Sequence, residues 1–324
     1  MIIDVQSHIM PLEYSKFFEK HASYPTIIVK GSDAIADFNG SLKFVYKWDE
    51  YSPEASIKRM DENGIDLTLL SAHIPDCTDL GELAAEGAQI ANNEIQKTIE
   101  QYPGRYKGIG FLPWNLPDKA IDEAQRIKKM GFVGVMLCSQ IGDGPVDLPV
   151  FWPVYEELAR LGLIIFLHPT APPWGSYVKE YAIVPMLGFM FHESVCLLRL
   201  ISSGIMEKNP GLKVVMPHCG GILPYLAGRI WNTTVNLKKG MENITIPPVE
   251  MLKSDQIYYD LVSPSPETMK FVANFLGGAE KLMFATDAPY VNPSILVDCV
   301  KEAFPDADDQ EQVFSGTAKK LIGL

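Results

Sequence analysis

The 324-residue sequence is short of the features that announce several protein classes. Its five cysteines, at 77, 138, 196, 219 and 299, are odd in number, widely spaced and without a C-x-x-C. A disulfide framework and a zinc knuckle are therefore not expected, and a reducing cytoplasm is. No apolar run approaches the roughly 20 residues of a membrane helix, "GLIIFL" being typical, and the first strand candidate begins at Ile2 with no charged leader before it. Positive charge is also short: 28 Lys plus Arg against 40 Asp plus Glu leave −12. Such a chain repels nucleic acid and anionic bilayers unless a basic patch is concentrated locally, and "RIKKMG" and "NLKKGM" read as solvated helix ends. Neither nucleic acid nor membrane is an expected partner. No G-x-G-x-x-G follows any strand candidate, which removes the usual support for a dinucleotide-binding sheet, and there is no internal repeat.

What is present is a regular alternation. Short β-branched runs occur at 66–72, 106–112, 132–137, 163–168, 212–217, 256–261 and 281–287, and "MIIDV" makes an eighth. Amphipathic stretches separate them; "LPDKAIDEAQRIKKMG" carries Asp118 near its start and Gly131 after its last turn, as helix caps require. Strand then helix, eight times over, predicts an α/β fold of the (β/α)8 TIM-barrel type, one domain spanning 1–324. One insertion interrupts it. Residues 11–51 are rich in aromatics, from Tyr14 to Tyr51, and read either as a surface subdomain on its own small core or as a lid over the catalytic face.

The six histidines are the most informative residues. His8 follows the first strand, His168 ends the fifth and His218 the sixth, while Asp287 ends the eighth. In a parallel barrel these strand ends share one face, so residues distant in sequence converge there. Each alone reads as a hydrogen-bonded structural residue; together they predict a site for a divalent ion with an open position. In "DVQSH" the position two before His8 is Gln6, which can offer an amide oxygen, a weaker donor than imidazole or carboxylate. Looser metal binding, or tolerance of Mn2+ or Mg2+ in place of Zn2+, is the expected consequence. The fourth strand ends "VMLCSQ" without a lysine to bridge two ions, so one metal is expected.

These residues, with "IDVQSHIMP", "SPEASIKRMDENGIDLTLLS", "FLHP", "VMPHCGGILPYLAGRI" and "ATDAPY", make the chain resemble the amidohydrolase-related family, in the branch of aminocarboxymuconate semialdehyde decarboxylase and the non-oxidative aromatic-acid decarboxylases. The resemblance implies a (β/α)8 barrel with a metal on His8, His168 and Asp287, Zn2+ foremost. Gln6 stands where relatives carry His or Glu. His218 matches a histidine beside the metal that assists proton movement. Arg229 matches an arginine that reaches a neighbouring subunit's site and holds substrate carboxylate, which implies a homodimer. Lys43 and Lys47 lie near a second cationic position of that relative.

Three functions follow. In a metal-dependent decarboxylase of a small aromatic or muconate-type acid, the metal holds a carboxylate or adjacent oxygen and His218 or Asp287 protonates the carbon that loses CO2. In a hydrolase of a lactone, amide or related bond, the same two residues take a proton from metal-bound water. Cations spaced for a carboxylate beside the metal separate these two readings. The third is a non-catalytic protein with a site degraded at Gln6, against which stand His8, His168, His218 and Asp287. Trp174, Phe189 and Phe191 are candidates for an apolar wall about the substrate. Asp260 is a candidate to orient a ligand histidine, Cys219 reads as a small buried thiol, His73 and His192 as structural, and His21 as surface.

Overall fold

The structure, a computed structural model, describes residues 1–38 and 40–324. Its strands in chain order are β1 (Ile3–Ile9), β2 (Thr26–Lys30), β3 (Asp33–Asp37), β4 (Lys43–Tyr46), β5 (Leu67–Ala72), β6 (Tyr106–Gly110), β7 (Gly134–Cys138), β8 (Ile164–His168), β9 (Val214–Met216), β10 (Ile257–Asp260) and β11 (Leu282–Met283). All but β2, β3 and β4 form one sheet of eight parallel strands, each beside its successor in the chain. Helices follow the strands, among them Ala84–Gln101, Pro117–Lys129, Trp152–Leu161 and Phe189–Ser202. Every residue of β5, β7 and β8 is buried. That is why these strands read as continuous apolar runs and not as alternations: both faces of the wall are covered. The expected TIM-type barrel is the fold observed.

Two strands differ from the sequence reading. β1 runs past "MIIDV" through Gln6 and His8 to Ile9, pairing Ser7 with Leu70 and His8 with Ser71 after a register shift between Asp4 and Ser7. A bulge of this kind re-aims the side chains beyond it. The polar residues hid the strand because their partners, on the neighbouring segments, are distant in sequence. β11 has only two ladder residues, yet the chain beyond it closes the barrel onto β1: Val5 N donates to Phe284 O (3.1 Å), Asp287 N to Gln6 O (2.8 Å) and His8 N to Ala288 O (2.9 Å).

Asp4 sits under this seam, 2% exposed. Its Oδ1 accepts from Gln6 N (3.1 Å) and Thr286 N (3.0 Å), and its Oδ2 from Thr286 Oγ1 (2.6 Å). Burial pushes its carboxyl up to about 7 although all three bonds pull the other way.

Residues 11–51 form a helix (Leu12–His21), the antiparallel sheet β2-β3-β4 and a short helix (Trp48–Tyr51). Their inner side chains, Tyr14, Phe18, Ala36 and Tyr46 among them, belong to the same apolar cluster as the barrel instead of a separate core. Tyr14 and Tyr46 donate their hydroxyls to Pro75 O (2.9 Å) and Ile74 O (2.7 Å), pinning the insertion to the loop after β5. The stretch Glu180–Ser202 is long and apolar enough by composition to cross a membrane. Here it lies along the barrel, with Phe189, Cys196, Leu197 and Leu200 in the core and Glu193 buried among them.

Asp4→Ala strips three buried donors at the seam of their acceptor, and a buried donor left unsatisfied costs about 1–3 kcal/mol. Urea unfolding should show a loss of roughly 3 kcal/mol or more, whereas Asp4→Asn, which still accepts at Oδ1, should lose clearly less. Equal losses would mean that shape and not hydrogen bonding holds the seam.

Candidate active site

Three side chains from three parts of the barrel meet at its mouth: His8 of β1, His168 at the end of β8 and Asp287 beyond β11. Their ligand atoms all lie within 4.8 Å of one another. His8 Nε2 is 3.3 Å from His168 Nε2 and 3.0 Å from Asp287 Oδ1. The other ring nitrogens are occupied: His8 Nδ1 faces Ala72 O (3.3 Å) and Ser71 Oγ (2.9 Å), and His168 Nδ1 faces Pro169 O (2.7 Å). Carbonyl oxygens only accept, so these partners assign the protons to Nδ1 and leave both Nε2 atoms as lone pairs. Burial pushes His168 down to about 3, with the neighbouring His8 adding to the effect. Burial alone would raise Asp287, but His8, His218 and His168 together outweigh it and hold the carboxyl below its ordinary value. Two imidazole Nε2 atoms and a carboxylate converge on one point. A divalent cation is the group that fits this donor set.

Gln6 stands beside the trio with its nitrogen toward it, Nε2 donating to Asp287 Oδ1 at 3.2 Å. It lines a small internal void with His8, Ser71 and His168 beneath the main cavity.

His218 lies apart from the trio. It follows β9 at the start of a turn, His218-Cys219-Gly220-Gly221, in which all four residues have positive φ (52°, 56°, 84° and 58°). A Cβ on Gly221 would come within 2.5 Å of Ser194 Oγ and 2.9 Å of Met190 O, so only glycine lets this turn press against the helix Phe189–Ser202. That contact brings His218 Nδ1 to 3.0 Å from Glu193 Oε2. Asp260, expected to orient a ligand histidine, instead accepts from the backbone N of His218 (2.8 Å) and of Val262 (3.1 Å). Burial disfavours charge on His218, but Glu193, Asp260 and Asp287 together outweigh it and raise the imidazole to about 9. Glu193 is the partner that the sequence reading missed. Its only trace is an acid on the apolar face that Cys196, Leu197 and Leu200 define.

A cavity of about 180 Å3 opens between the trio and His218. Its remaining walls are Phe44, His73, Ile74, Pro169, Pro185, Phe189 and Tyr290. Of the expected apolar wall only Phe189 is there. Trp174 is a correction: its indole settles over the bare Cα of Gly188 and is 42% exposed, outside the lining. Phe191 is exposed. Phe44, from the insertion, and Tyr290 take their places. His73 also faces the cavity, but both its nitrogens are engaged, Nδ1 donating to Ile74 O (2.7 Å) and Nε2 accepting from Ser15 Oγ (3.1 Å). Burial pushes it down to about 4.

No Lys or Arg lines the cavity among the described residues. Lys43 and Lys47 are exposed and face Asp37 and Glu50. Arg229 is exposed on the helix Leu223–Trp231, in a groove with Leu198, Leu226 and Ile230. Cys219 is buried, as expected, His192 donates Nδ1 to Thr170 O (3.4 Å), and His21 is at the surface.

Known proteins resemble this chain over most of its length. The chain is 25% identical to a 2-amino-3-carboxymuconate-6-semialdehyde decarboxylase of Dictyostelium discoideum, over 99% of this chain and 91% of that protein. It is 29% identical to a gamma-resorcylate decarboxylase of Rhizobium sp. (strain MTP-10005), over 84% and 87%. Its fold is similar to that of a dihydroxybenzoic acid decarboxylase from Polaromonas sp. JS666 with bound manganese and the inhibitor 2-nitroresorcinol, at TM-score 0.79 and 24% identity over 100% of this chain and 97% of that one. The family profile described as Amidohydrolase matches residues 3–324, and the chain belongs to the amidohydrolase family.

Proposed function

We propose that this protein is a metal-dependent, non-oxidative decarboxylase of a small aromatic carboxylic acid. The observation that carries the reading is the pairing of two unlike groups across one small cavity: a trio of lone-pair donors on one side and an imidazole held protonated on the other. Its volume of about 180 Å3 suits a single ring, since a cavity of roughly 150 Å3 holds benzene. The decarboxylases among the relatives support the same chemistry.

His8, His168 and Asp287 would hold the ion, Zn2+ by the donor set, or Mn2+ as in the Polaromonas protein. When bound it supplies a Lewis-acidic anchor for the substrate's carboxylate or adjacent hydroxyl oxygen. Asp287 is kept ionised by its imidazole neighbours, which leaves His218 as the proton donor. A proton passes from His218 to the ring carbon bearing the carboxylate, the bond to the carboxylate breaks, its electron pair restores the aromatic ring, and CO2 leaves. Glu193 holds the imidazole by Nδ1, so that Nε2 is the end presented to substrate. Phe44, Phe189 and Tyr290 exclude water from the ring. In this reading the chain is one barrel domain, and its insertion, 11–51, is a lid that brings Phe44.

The carboxylate-binding cation comes from a second copy. Tyr177, Tyr181, Met186, Val195, Tyr225 and Trp231 are all at least half exposed. Val195, Tyr225 and Trp231 lie on the two helices, Phe189–Ser202 and Leu223–Trp231, that also supply Leu198, Leu226 and Arg229 to the groove. A homodimer that covers it carries Arg229 toward the partner's cavity. Five free cysteines, four of them buried, suit a cytoplasmic enzyme.

Three measurements test this reading. Plasma mass spectrometry should find about one divalent ion per chain, lost in His168→Ala, and hydroxybenzoates should release CO2 only with the ion present; no bound ion after incubation with Zn2+ and Mn2+ removes the proposal. In Glu193→Gln the imidazole loses its nearest anion, so the high-pH limb of kcat/KM should move down by roughly 1–3 pH units, while an unmoved limb would make Glu193 merely structural. Co-expressed Arg229→Ala and His218→Ala chains should recover about a quarter of wild-type activity, the share expected of random pairing in a two-fold dimer. Zero recovery would place Arg229 outside the partner's site.

A further inference from the structure

The side chain two residues before His8 has a different part from the three ligands around it. Gln6 and Asp287 are joined twice: Asp287 N donates to Gln6 O (2.8 Å), and Gln6 Nε2 donates to Asp287 Oδ1 (3.2 Å). The carboxylate oxygen that receives this bond is the same one that lies 3.0 Å from His8 Nε2. Turning the amide over would set its oxygen against that oxygen, lone pair to lone pair. The nitrogen is therefore held toward the cluster and the oxygen away from it. Gln6 also faces the internal void and not the cavity lined by His8, His168, His218 and Asp287.

From this arrangement, and resting on the metal site proposed above, we propose that Gln6 stays off the ion. It is a neutral positioning residue that fixes Asp287 and limits the ion to a single anionic ligand. Two consequences have opposite sign. A hydrogen bond to Asp287 Oδ1 draws electron density from the ligand oxygen, and no second carboxylate adds its attraction, so the metal is held loosely and exchanges. The bound ion also keeps a net positive charge once Asp287 is counted, so an anionic substrate is held firmly. A carboxylate at position 6 would reverse both. It would also place two anions about 3 Å apart whenever the ion is absent, the arrangement that like charges disfavour most.

The test uses purified wild-type protein, Gln6→Glu and Gln6→Ala, stripped with chelator and checked for folding by circular dichroism. Titration calorimetry measures Mn2+ binding, then salicylate binding to the Mn2+-loaded protein, with no turnover needed. Gln6→Glu should bind Mn2+ about tenfold or more tightly and salicylate several-fold more weakly, and its metal-free form should melt at lower temperature than wild type. Gln6→Ala, which loses only the hold on Asp287, should weaken Mn2+ binding by no more than about 100-fold. A loss in Gln6→Ala well beyond about 100-fold would make Gln6 a ligand and overturn the proposal. So would a Gln6→Glu protein that binds both Mn2+ and salicylate as wild type does. A wild type that binds no Mn2+ at all would instead remove the metal site on which the proposal rests.

Discussion

The seam between β1 and residues 284–288 is the contact on which the site depends. Eight strands make a barrel only if the last reaches the first, and here the last offers two ladder residues and a short run of irregular backbone. Buried Asp4, bonded to Gln6 N, Thr286 N and Thr286 Oγ1, supplies what a longer ladder would have supplied. Because His8 lies on one side of this seam and Asp287 on the other, the bonds that close the barrel also set the spacing of the ligand atoms. Structure and chemistry share one set of hydrogen bonds, and the bulge in β1 is where they meet.

Much of this was legible in the sequence, for reasons that individual segments show. β5, β7 and β8 are buried on both faces and so appear as unbroken apolar runs. His168 and Asp260 fall at strand ends, where a barrel places its working residues. The ends of β1 were hidden because Gln6 and His8 are polar inside the wall, satisfied by Asp287 and Ala72, which lie far off in the chain. Asp260 and Glu193 show the same limit: sequence placed Asp260 near the histidines but could not show that it holds the backbone of His218, nor that Glu193 holds its ring. The cavity walls were the least legible part. Trp174 and Phe44 are both aromatics in loop-rich regions, and only packing decides that one faces solvent over Gly188 and the other faces the cavity.

The two sides of the site are built by different physical means. On the metal side, burial pushes His168 down to about 3, and backbone and Ser71 contacts engage the Nδ1 atoms of His168 and His8. On the proton-donor side, three carboxyl groups overcome a comparable burial and keep His218 charged. Imidazoles facing one cavity are shifted in opposite directions because their surroundings differ. The turn after β9 keeps the two apart: its glycines let the backbone approach Ser194 and Glu193, and a single added methyl group at Gly221 would push the acid away from its carboxylate.

The order in which the chain is made gives the seam a further meaning. His8 and Asp287 are 279 residues apart, so the first ligand leaves the ribosome long before the last exists. A nascent chain carries His8 and later His168 without a third donor, and two imidazoles on an unclosed sheet offer an ion little hold. If these three residues hold the ion as proposed, it would be acquired only by the completed barrel. Long-range pairing of this kind closes slowly, so the three donors proposed to hold the ion meet only late in folding.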